Sequence, residues 1–70
     1  MPDQIIITTS PEDGLPVVTL THRIYGQYEI NVPDVALRDH DDVRLAAEIS
    51  LDLRDRTLQD VPVVDLRSAS

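Results

Sequence analysis

Residues 17–32, Val-Val-Thr-Leu-Thr-His-Arg-Ile-Tyr-Gly-Gln-Tyr-Glu-Ile-Asn-Val, constrain this chain more than any other stretch. Apolar and polar residues alternate on both sides of Gly26. Side chains of a strand alternate between its two faces, so the two halves can pair only in a register that keeps like with like. A three-residue loop at Ile24, Tyr25 and Gly26 sets Arg23 against Gln27, His22 against Tyr28, Leu20 against Ile30 and Val18 against Val32. The apolar residues then share one face, and Thr19, Thr21, Glu29 and Asn31 share the other. A four-residue loop from Arg23 would set Leu20 against Glu29 and mix the faces. Glycine adopts at little cost the left-handed conformation that commonly closes a three-residue loop, and Gly26 stands at that position. The competing reading is one long strand with a glycine bulge; the pairing pattern predicts the hairpin.

The flanking segments extend the same face. Gln4-Ile-Ile-Ile-Thr-Thr9 is rich in β-branched residues and reads as a first strand. The turn cluster Ser10-Pro11-Glu12-Asp13-Gly14 follows it. With Leu15 in the loop, Ile7 pairs with Val18 and Ile5 with Leu20, and Pro16 lies at the strand mouth, where a missing N–H is tolerated. The result is a three-stranded antiparallel meander with Ile5, Ile7, Val18, Leu20, Tyr28, Ile30 and Val32 facing one way.

Pro33-Asp34 ends the sheet, and Asp39 is placed to cap a helix, with Asp41 and Asp42 where the helix dipole favours negative charge. Val43, Ala46, Ala47, Ile49, Ser50 and Leu53 recur at three- and four-residue spacing. This predicts an amphipathic helix over residues 43–56, closed by Arg54 and Arg56, with Asp52 and Arg56 as an i,i+4 pair. Val61-Pro-Val-Val-Asp-Leu66 has strand composition, but Pro62 confines it to an edge or to a strand start. It either returns as a fourth strand or reaches into a neighbouring chain's sheet by strand addition. Residues 67–70 read as a frayed end. The fold class expected is therefore α+β: a three-stranded antiparallel meander, one amphipathic helix packed on one face, and a C-terminal edge strand in the first of those alternatives. Residues 1–70 form one small acidic domain.

Seventy residues lie near the lower limit for a self-sufficient core. There is no Cys, Phe or Trp, so disulfides and thiolate zinc sites are excluded and the core must be aliphatic. Sparse aromatic burial favours association with a partner or with further copies. The formal net charge is −7, and every basic residue is Arg. Such a balance disfavours direct binding to nucleic acid or to anionic membranes, because phosphate contacts need Lys and Arg. No apolar run reaches the length of a membrane span, and the first residues lack the basic and apolar regions of a secretory signal. A cytoplasmic location is the expectation.

Candidate chemistry is thin. His40 among Asp39, Asp41 and Asp42 has the composition of a hard-cation site but lacks the alternate ligands, distal carboxylate and turn glycine of a calcium loop. Helix capping accounts for all four residues, and no metal is expected. His22 beside Tyr28 has no nucleophile near it: Ser10, Ser68 and Ser70 fall in a turn or the tail, and Ser50 is mid-helix. The two glycines, Gly14 and Gly26, build no phosphate loop. Neither an enzyme nor a cofactor is expected.

Tyr28-Glu-Ile-Asn-Val-Pro-Asp34 resembles the strand-and-turn of HicB-type antitoxins, in which a strand ends in Val-Pro-Asp. In that family the turn continues Leu-Pro-Gly-Cys and another strand precedes the helix. Here Val35-Ala36-Leu37 follow, and the likeness assigns no family.

The residues singled out for partner contact are Ile24 and Tyr25 at the hairpin tip, together with Asp41, Glu48, Asp52 and Asp55 on the helix face opposite Ile49. Large apolar residues at a tip, Tyr above all, suit an interface. The function expected is a non-enzymatic protein–protein interaction module, a regulator or inhibitor docking on a basic surface of another protein. The alternative is a small structural subunit of the phage or virion type that self-assembles through its C-terminal strand into a homo-oligomer.

Overall fold

In a computed structural model describing residues 2–67, the first strand, β1 (Gln4–Thr9), pairs antiparallel with β2 (Pro16–His22). Ile7 lies opposite Val18, Ile5 opposite Leu20, and Pro16 at the mouth, as the alternation requires. The frayed ending expected at Ser68, Ala69 and Ser70 falls outside the described residues. The turn closes through Gly14, whose φ of 73° suits glycine and whose N–H donates to the Ser10 carbonyl at 2.9 Å.

The third strand, β3 (Gly26–Ile30), completes the meander in a different register from the one expected. Val18 faces Ile30, Leu20 faces Tyr28 and His22 faces Gly26, so the loop is Arg23-Ile24-Tyr25. The cause is the His22 imidazole. Its Nδ1 accepts from the Ile24 N–H at 3.1 Å and the Tyr25 N–H at 3.4 Å, which turns the chain immediately after His22. Gly26, at φ 95°, therefore opens β3 instead of closing the loop. An even shift preserves the faces, so Thr19 and Glu29 still pair on the side away from the core. Tyr28 keeps the core face, opposite Leu20, but on the end strand its side chain is half exposed, and Val32 lies beyond the strand, partly buried against the core.

The tail returns within the chain. The fourth strand, β4 (Val63–Asp65), runs parallel to β1 with Val63 beside Ile5 and Asp65 beside Ile7, giving a mixed sheet of order β3-β2-β1-β4. Pro62 precedes this edge strand, and its carbonyl accepts from the Ile5 N–H at 2.9 Å. Arg67, expected to be loose, is held: its guanidinium donates to Asp65 at 2.8 and 3.0 Å and to the Leu37 carbonyl at 3.5 Å.

Between sheet and helix lies an element that the periodicity did not signal, a 3-10 helix over Asp34–Arg38 that starts after Pro33 and buries Ala36 and Leu37. The α-helix, α1, spans His40–Ser50, with the Asp39 carboxylate accepting from the Asp41 N–H at 2.8 Å and Asp41 and Asp42 in the first turn. It stops well short of Arg56. Asp52 takes a left-handed conformation (φ 57°) while the Leu53 N–H donates to the Glu48 carbonyl and the Asp52 N–H to the Ile49 carbonyl. This pair of bonds is the Schellman ending, which satisfies the last carbonyls and diverts the chain. The expected Asp52–Arg56 pair therefore does not form, since Arg56 (φ 51°) has already left the helix and turns back to Glu48.

The helix is also rolled relative to expectation. Val43, Ala47 and Glu48 are buried, whereas Ile49 is 70% exposed and Ser50 is exposed. Ile5, Ile7, Val18, Leu20 and Ile30 form the sheet side of the core, and Leu37, Val43, Ala47, Leu58 and Val61 close it. Leu58 and Val61 come from a segment without regular structure, of which the sequence reading assigned only Val61, to the C-terminal strand.

The Asp65–Arg67 contact carries a pH prediction. Hydrogen bonds from the Arg67 side chain and N–H hold the Asp65 carboxyl down at about 2. A depressed carboxyl pKa contributes stability that is present above the ordinary value of about 3.9 and is lost as pH falls through the folded value. The difference in unfolding free energy between the parent and Asp65→Asn should therefore be constant above about pH 5 and shrink between about pH 4 and pH 2. Urea titrations at several pH values would show it, and a difference that does not change across that window would mean that the contact is absent in solution.

Candidate functional site

Glu48 is the least expected of the candidate residues. It is 1% exposed, its Oε1 accepts from Arg56 Nε at 2.7 Å and its Oε2 accepts from the Leu58 N–H at 3.0 Å. A buried carboxylate is tolerated when its oxygens are occupied in this way, and the same contact raises the Arg56 pKa. Glu48 therefore clamps the segment after α1 and is not on an accessible acidic face. That corrects its assignment as a partner contact.

Asp41, Asp52 and Asp55 are exposed. Asp41 accepts from Arg56 Nη2 at 3.3 Å and lies 4.0 Å from Arg44 Nη1, yet two thirds of its side chain faces water. Among the described residues, internal ion pairs take up Arg23, Arg44, Arg56 and Arg67 against Asp3, Asp41, Glu48 and Asp65. Arg38 and Arg54 are the arginines outside these pairs, against nine other acids.

The tip residues part company. Ile24 is 77% exposed. Tyr25 folds back, its ring centroid 4.5 Å from that of His22, its hydroxyl donating to Thr57 Oγ1 at 3.4 Å and its ring partly buried against the core. Tyr25 thus locks the hairpin tip to the segment after the helix.

His22 is buried, with Nδ1 occupied by two backbone N–H groups and Nε2 3.3 Å from Asp3 Oδ2. An Nδ1 that accepts places the proton on Nε2, facing the carboxylate. The Arg23 N–H, donating to Asp3 Oδ1 at 3.0 Å, holds the Asp3 carboxyl below its ordinary value, with the neighbouring His22 and Arg23 as lesser causes. Neither ring nitrogen is free to take a proton from a substrate, so the Asp3–His22 pair is turn architecture. Among the described residues no group of three His, Asp or Glu side chains gathers to hold a metal, and no helix is long and apolar enough to cross a membrane.

Rolling the helix creates a feature that the sequence pattern did not indicate. Leu45 and Ile49 face outward, and with Asn31, Pro33, Ala36, Asp42, Ala46 and Ser50 they line a mostly apolar groove of about 390 Å3. Of these residues Ala46, Ile49 and Ser50 belong to the stripe that periodicity assigned to the core, and Leu45 carried no assignment. No protein-family model, curated protein or solved structure matches this chain.

Proposed function

We propose that this protein is a non-enzymatic interaction module that docks on a basic surface of another protein, as a small regulator or inhibitor does. The observation that supports the reading is the distribution of charge: most of the arginines are used in internal pairs, while Asp52 and Asp55 are exposed and outside those pairs. Exposed single-sign charge speeds encounter with an oppositely charged partner and sets the salt dependence of binding. Ile24, exposed at the hairpin tip, supplies an apolar contact. In the structural-subunit alternative, β4, which here pairs with β1 of its own chain, would make that pairing with β1 of another copy.

The test is binding to a partner recovered from the cells that make the protein, measured across salt. Between about 0.01 and 1 M the Debye length falls from about 30 to 3 Å, and affinity should fall steeply over that range. Asp52→Asn with Asp55→Asn should weaken binding at low salt and converge with the parent at high salt; Asn at position 52 keeps a residue that tolerates the left-handed backbone. Salt-insensitive binding that the double variant leaves unchanged would dismiss the acidic-docking reading.

A further inference from the structure

We propose that the open edge of β3 and the groove beside α1 form one docking surface for an extended segment of a partner protein, with apolar and basic side chains alternating along it. This rests on the acidic-docking reading and names the form of the partner. β3 is the end strand of the sheet, bonded to β2 on one side, and Gly26, Gln27, Tyr28 and Glu29 are all exposed. It has no proline, no lysine and an unbroken register without a bulge, and Glu29 is its one charged side chain. The opposite edge, β4, is short, follows Pro62 and ends at the Asp65–Arg67 contact.

The groove begins where β3 stops. Asn31 and Pro33, just past the strand, line it together with Leu45 and Ile49 of α1, 41% and 70% exposed. A strand edge beside a helix wall is the geometry of peptide recognition by strand addition: the backbone supplies affinity and alternate side chains supply specificity. Side chains of the added strand on the helix side meet Tyr28, Leu45 and Ile49, while those on the other side meet Glu29. Asp42 in the groove lining sets the same sign on the helix side. This charge selects the occupant. A second copy brings seven net negative charges to a negative surface, whereas a basic segment is attracted to it.

The experiment uses the full chain, 15N-labelled, titrated with a short peptide of alternating Lys and Val, with a peptide of the same composition in separate Lys and Val blocks, and with a Glu–Val alternating peptide. The Lys–Val alternating peptide should shift and protect the amides of β3 and Asn31 and bind at least about tenfold more tightly than the block peptide. Ile49→Asp should weaken it by about tenfold or more, from the loss of one apolar contact. That substitution adds negative charge, so simple electrostatic attraction predicts the opposite change, and the parent-like spectrum of this exposed-site variant reports that the fold is kept. Equal binding by the block peptide, unmoved β3 amides, or Ile49→Asp binding as well as the parent overturns the groove assignment. If the block peptide binds equally and Asp52→Asn with Asp55→Asn weakens it, the acidic-docking reading stands alone. Preference for the Glu–Val peptide overturns the acidic reading, and a β3-paired dimer of the free chain gives the edge to a second copy.

Discussion

Glu48→Ala is expected to lower stability by about 2–4 kcal/mol, a large share of the roughly 3.5–10 kcal/mol typical for a chain of this length at about 0.05–0.15 kcal/mol per residue. The carboxylate is buried and accepts from the Arg56 side chain and from the Leu58 N–H. Its removal leaves that N–H buried without an acceptor, which costs about 1–3 kcal/mol. Breaking a fully buried ion pair costs about 3–5 kcal/mol, but 42% of the Arg56 side chain is exposed and water takes part of the load, so the lower range applies. At about 4–8 °C per kcal/mol for a small domain, the Tm should fall by roughly 10–30 °C. Glu48→Gln keeps the volume and an acceptor for Leu58, and its cost should be near 1 kcal/mol. Urea unfolding of the three proteins decides the matter, because a surface glutamate would give changes within about 0.5 kcal/mol for both substitutions.

Leu58→Ala should cost about 2–5 kcal/mol, the range for emptying a buried leucine site. Leu58 is 0% exposed in a core cluster with Ile5, Leu20 and Val43, and its backbone is tied to Glu48, so the segment cannot easily collapse into the space left. Leu58→Met conserves most of the volume and should cost less than about 1.5 kcal/mol. A residue in a solvent-facing turn would show neither loss. Glu48 anchors the backbone from which the Leu58 side chain enters the core, so the two sites are in contact and their effects should not simply add. Additive losses would mean that the clamp and the core plug act separately.

These two residues show where sequence reasoning stops. Periodicity treats Glu48 as polar and places it outside, because only a partner distant in sequence makes its burial tolerable. That partner, Arg56, is brought back by the Schellman ending at Asp52 and the second left-handed residue at position 56. With Val43, Ala47 and Glu48 turned inward, Ile49 falls on the solvent side of the helix, and the groove follows from that roll. The hairpin register escaped for a related reason. The glycine was rightly read as a turn signal, but a side chain-to-backbone contact, His22 to Ile24 and Tyr25, decided on which side of it the chain bends.

By itself the sequence determined the α+β class, the β1–β2 register, the Asp39 cap and the face of β1, β2 and β3 that carries the core. All of these depend on residues a few positions apart or on a two-residue period that survives a shift of register. The tertiary structure alone decided the parallel return of β4, the roll of α1 and the apolar groove beside an open strand edge. Each depends on contacts between segments far apart in the chain, where a buried charge or a capped turn outweighs the local preference.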